Sequence, residues 1–173
     1  MASGGKYGQI TSVQKPIEPK IKVRKENNYK KPNTDELKLL FYNCRGLVGE
    51  DRVYEFEKEI NKIKWDIIGL SEIRKKGEKL IQTRSGCFFY FFGETTGHRG
   101  VGFYMKPQIM KKVQTIKGIS ERICYMKLKI DENTKIMIIQ IYAPTLASDE
   151  DERDIFYNML DVIINEEREY YTI

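Results

Sequence analysis

Three polar residues sit at the ends of apolar runs. Asn43 closes "LLFYN", Glu72 comes two residues after the "DIIGL" run, and Tyr142 follows "IMIIQI". In an open α/β sheet, ligands bind in the crevice at the carboxyl ends of the strands. A carboxylate, an amide and a phenol brought to one such edge suit a hard, oxygen-binding cation such as Mg²⁺ together with a phosphate. Arg74, in "SEIR", and Arg122, in "ERIC", can each reach a phosphate, since guanidinium suits bidentate contact. Asn and Tyr are common at strand ends and most charges there are solvated surface. By spacing alone, both readings stay open for each of these residues.

These residues need a sheet to carry them. Residues 37–43 form an apolar run fit for a central strand. From about 51 to 64, Val53, Phe56, Ile60 and Ile63 recur at helical spacing with Glu and Lys opposite. The run ending at Leu70 is a short buried strand, so strand, helix and strand make a βαβ unit with parallel neighbours. "CFFYFFG" and "GVGFYM" read as further strands; the 88–92 aromatics belong to a core, and Gly100 and Gly102 permit close packing beside a neighbour. "ERICYMKLKI", the turn "DENT" and "KIMIIQIYAP" make a hairpin stopped by Pro144. Ser148 reads as the N-cap of a helix opened by acidic residues, whose buried face is Phe156, Met159, Leu160, Ile163 and Ile164. "YYTI" starts another strand-like run.

At 173 residues the chain accommodates one domain with a tail: residues 1–34 as a disordered basic segment and 35–173 as the domain. Up to Asn33 there are eight Lys or Arg and two acids, a charge of +6, which leaves −1 of the total +5 for the body. The tail suits contact with nucleic acid or a nuclear address, and equally a solvated leader. No apolar run approaches a membrane span, and the N-terminus has no apolar signal region. Cys44, Cys87 and Cys124 are scattered and unpaired in sequence. That pattern argues for reduced core thiols in an intracellular protein and against a disulfide frame or zinc site.

Five segments in order, "LLFYNCRGL", "WDIIGLSEIR", "HRGVGFYM", "ERICYMKLKI" and "IIQIYAPT", resemble the endonuclease/exonuclease/phosphatase superfamily, which includes DNase I-like nucleases and apurinic endonucleases. The chain is most similar to the endonuclease domains of RTE-type non-LTR retrotransposons and the related craniofacial development protein 2-like sequences. The resemblance runs over about 37–157. It implies an α/β fold: the N-terminal half of a DNase I-like sandwich, a mixed sheet with flanking helices. It implies Mg²⁺-dependent (or Mn²⁺-dependent) hydrolysis of DNA phosphodiesters. Glu72 matches the metal-binding Glu. Asn43 matches the Asn that supports metal or phosphate, and Tyr142 the Tyr that contacts the scissile phosphate. Glu72 would then stand past its strand to hold the cation.

The sequence also departs from the family. It contains no Gly-Asp-Xaa-Asn, no final Asp-His pair, and Thr145 where a substrate-binding Asn is frequent. His98, the single histidine, is too early to be the family's catalytic one and reads with Arg99 as a loop residue. The expectation is a chain holding one half of a two-sheet sandwich, poorly active alone. "IMIIQIY" would then expose a large apolar face for a protein partner to cover. The alternative is a catalytically silent interaction or nucleic-acid-binding module derived from such an endonuclease.

Overall fold

The computed structural model describes residues 36–94, 98–166 and 170–173, all within the unit Asp35–Ile173. The tail expected over 1–34 lies outside the described residues. Strand β1 (Leu39–Asn43), helix α1 (Glu50–Ile60) and strand β2 (Ile67–Ser71) form the expected βαβ unit. β1 and β2 pair in parallel with Asn43 opposite Ser71, so both strands end at the same edge. Phe56 and Ile60 of α1 pack with Trp65, Ile68, Leu70 and Tyr104. The helix stops at Ile60, so Ile63 falls beyond it and is 53% exposed.

Next come β3 (Gly77–Gln82), β4 (Phe88–Gly93) and β5 (Val101–Met105). They complete a five-stranded mixed sheet in the order β1-β2-β5-β4-β3. β1 is thus an edge strand among the described residues, with Phe41 59% and Tyr42 53% exposed, where its apolar sequence suggested a central one. Gly102 earns its place by close packing: a Cβ there would lie 2.1 Å from the Tyr90 carbonyl oxygen and 2.9 Å from Ile73 Cδ1.

A short helix α2 (Pro107–Met110) leads to β6 (Val113–Ser120), β7 (Ile123–Lys129) and β8 (Lys135–Ile141). Helix α3 (Glu150–Glu166) and β9 (Tyr171–Thr172) follow. β7 and β8 form the expected hairpin, and β9 pairs in parallel with β8, giving a second mixed sheet, β6-β7-β8-β9. Period-two alternation sorts the side chains. Ile67, Val101, Phe103 and Met105 of the first sheet meet Cys124, Met126, Leu128 and Ile138 of the second. On the far face, Ile123, Tyr125, Met137 and Ile139 pack under Phe156 and Ile163 of α3. The layers are therefore α/β/β/α.

This corrects the expectation of a single uncovered sheet. "IMIIQIY" is covered on both faces, with Met137, Ile138 and Gln140 all buried. The helix cap also differs. α3 starts at Glu150, and Asp149 Oδ1 accepts from the Asp151 N–H at 3.2 Å, so Asp149 and not Ser148 fills the cap position. Met159 and Ile164 are exposed, leaving Phe156 and Ile163, with the half-buried Leu160, to bury the helix. All three cysteines are free thiols, Cys44 and Cys124 buried. Among the described residues no helix is long and apolar enough to cross a membrane.

Candidate active site

The ends of β1, β2 and β8 converge. Cys44 N–H donates to the Ser71 carbonyl at 3.0 Å and Leu47 N–H to Ile73 at 2.9 Å, so the two loops leave their parallel strands together. Ile73 and Arg74 N–H groups bond to the Gly100 and Arg99 carbonyls, tying the loop after β2 to the segment before β5. Within these loops Arg45 (φ 48°), Glu72 (φ 54°) and Arg74 (φ 59°) occupy the left-handed region. Non-glycine residues rarely adopt it, and each such residue costs on the order of 1–3 kcal/mol. Among the described residues these are the positive-φ positions outside glycine, and all three lie at one sheet edge.

Glu72 is at the centre. Its Oε1 accepts from Asn43 Nδ2 at 2.7 Å and from the Tyr142 hydroxyl at 3.1 Å, and its Oε2 from Arg74 Nη2 at 3.0 Å. The Asn43 hydrogen bond above all holds its carboxyl below the usual range; burial opposes it, and the hydrogen bonds of Tyr142 and Arg74 add to the lowering. Burial and the adjacent Glu72 push the Tyr142 phenol up, while Arg122 and Arg99 pull it down. The Asn43 amide is itself fixed, since its Oδ1 accepts from the Arg45 N–H at 3.1 Å. Asn43 therefore orients the carboxylate, with its own oxygen turned to the backbone.

The two arginines separate. Arg74 is exposed beside Glu72, with its stem 3.5 Å from where a Gly46 side chain would begin. Arg122 is buried and fully engaged: Nε and Nη2 reach Glu152 Oε1 at 3.1 and 3.0 Å, and Nη1 reaches the Tyr142 carbonyl at 2.9 Å. As a phosphate contact it has no free fork. Arg99 joins the same cluster through Glu121 and Glu152, at 2.7 Å each. His98 is exposed. The adjacent "ER" of residues 121–122 was the only sequence sign of this cluster; its partners Arg99 and Glu152 lie too far along the chain to be paired by spacing.

A groove of about 340 Å³ borders the site, lined by Phe41, Asn43, Ser71 and Gln140 among others. A wider cavity of about 600 Å³ lies elsewhere, between α1 and β3, near Tyr54, Glu57 and Thr83. No three His, Cys, Asp or Glu side chains form a metal-holding group among the described residues.

The layers are those of an α/β/β/α sandwich with a carboxylate at the strand ends. No family model and no curated protein matches the sequence. Among solved structures, the AP endonuclease LMAP from Leishmania major matches with a TM-score of 0.52 and 15% identity, over 75% of this chain and 47% of that one. The endonuclease domain of TRAS1, a telomere-specific non-LTR retrotransposon, gives 0.45 and 14%, over 76% and 54%. The chain spans about half the length of these proteins. The fold is DNase I-like, as the sequence resemblance implied.

Proposed function

We propose that this chain carries part of a divalent-metal-dependent endonuclease site that hydrolyses DNA phosphodiesters, in a domain of retrotransposon origin that is poorly active alone. One observation carries the reading: on a DNase I-like fold, Glu72 is held by Asn43, Tyr142 and Arg74 at the joint end of three strands. The donor set fits Mg²⁺ or Mn²⁺, which takes one or two carboxylates and completes its shell with water and phosphate oxygens. Glu72 would hold the ion, and when bound it offsets the charge that builds on the phosphate oxygens. Asn43 keeps the carboxylate oriented. Arg74 is the exposed cation that moves from Glu72 to a phosphate, and the Tyr142 hydroxyl donates to a phosphate oxygen. Action in the nucleus, through the basic tail, belongs to the same proposal.

A second reading is a catalytically silent module that binds nucleic acid or protein. The −1 charge of the body favours it, since nucleases that grip DNA present a basic face. Mn²⁺ distinguishes the two. In amide NMR spectra, sub-stoichiometric Mn²⁺ is expected to broaden Asn43, Ser71, Glu72 and Tyr142 first, and Glu72→Gln to abolish that pattern. Broadening that ignores Glu72 would sink the metal site. Plasmid nicking with Mg²⁺ is expected to be slow, because no described residue in the matched positions orients the attacking water, help typically worth about 10²–10⁴-fold.

A further inference from the structure

We propose that Arg122 is a positioning residue, which holds the Tyr142 phenol on Glu72 through the Tyr142 main chain and ring. The proposal deepens the reading of this same site. β8 ends at Ile141, and Tyr142 is the residue that follows it. Arg122, just before β7, lies opposite it across the hairpin. Its carbonyl accepts from the Tyr142 N–H at 2.8 Å, its Nη1 donates to the Tyr142 carbonyl at 2.9 Å, and its guanidinium lies 5.2 Å from the Tyr142 ring centroid. Three kinds of contact thus fix one residue: both main-chain polar groups and the ring face.

Arg122 is itself anchored. Glu152, in the first turn of α3, accepts from its Nε and Nη2, and Arg99 reaches the same carboxylate from before β5 at 2.7 Å. The phenol's position is therefore set jointly by the β7–β8 hairpin, α3 and the segment before β5. The planar fork is essential to this. An ammonium in its place keeps the charge but cannot reach Glu152, the Tyr142 carbonyl and the ring face in one geometry. A merely structural Arg122 would tie α3 to the hairpin and leave the phenol's place indifferent to it.

The test reads geometry and not catalysis. The chain is labelled with ¹³C-tyrosine, and Tyr142 is assigned by its loss in Tyr142→Phe. At neutral pH the nuclear Overhauser contact between the Tyr142 ring and the Glu72 methylenes reports where the phenol sits. In Arg122→Lys, and in Glu152→Gln, which loosens the anchor while a side chain of the same size still fills the position, this contact should fall by half or more. A contact unchanged in both variants would overturn the proposal, even if both lower the melting temperature. A failed Mn²⁺ experiment would remove the nuclease reading and leave this result standing.

Discussion

Glu72 keeps its charge because its neighbours favour the carboxylate form, and this gives a pH signature. Its carboxyl is held below the ordinary value of 4.5, with the Asn43 hydrogen bond as the largest cause. A group depressed in the folded state adds stability that is present above its unfolded value and lost as pH falls through the folded one. Wild type should therefore exceed Glu72→Gln in urea midpoint near pH 7, and the difference should close as pH drops below about 4.5. Glu152 is also depressed, with Arg122 the first cause, but it is present in both proteins and cancels. A difference independent of pH would refute the assignment. Asn43→Ala should raise the Glu72 midpoint towards its ordinary value, read from the side-chain carboxyl resonance. Sequence spacing could nominate these residues. It could not show that Asn43 turns its oxygen to Arg45, which follows from left-handed loop geometry, or that Arg122 faces inward, which follows from a contact 30 residues along the chain.

Elements were legible where one period dominates. The β1–α1–β2 unit and the β7–β8 hairpin have clean apolar patterns, and both formed as expected. β3 and β6 were missed for physical reasons. β3, "GEKLIQ", is exposed along its whole length and has no buried face to pattern. β6 carries register shifts at Val113/Thr115 and Gly118/Ser120, and each breaks the two-residue alternation. The end of α1 and the cap of α3 shifted because caps are decided by local hydrogen bonds. Asp149→Ala should cost about 0.5–2 kcal/mol, whereas Ser148→Ala should be nearly silent, since Ser148 contributes only backbone groups to its contacts. Equal effects in chemical denaturation would restore Ser148 as the cap. Gly102→Ala should destabilise more visibly, by about 1–3 kcal/mol. Its new methyl meets backbone of β4, which cannot swing aside as a side-chain tip can.

At the scale of the whole molecule, the question is whether two sheets behave as one body. Sequence reasoning left "IMIIQIY" uncovered because it counted one sheet. The chain instead closes its own sandwich, with Phe103 and Met105 facing Cys124, Met126 and Ile138. This shared interior makes the layers interdependent: either sheet alone would expose the fully buried Phe103 or Met126 to water. Two native reporters sit in different layers. Trp65, the only tryptophan, packs in the α1 layer, and Cys124 is a fully buried thiol of the second sheet. Burial also pushes the Cys124 thiol well up, so it stays unreactive while the core is closed. Trp65 fluorescence and Cys124 alkylation, the latter followed by peptide mass spectrometry, should report the same denaturant midpoint. Phe103→Ala should move both midpoints together, by about 3–5 kcal/mol. A Cys124 that reacts while Trp65 fluorescence is still native would show that the second sheet opens independently, and that the sandwich described here is not a single cooperative unit.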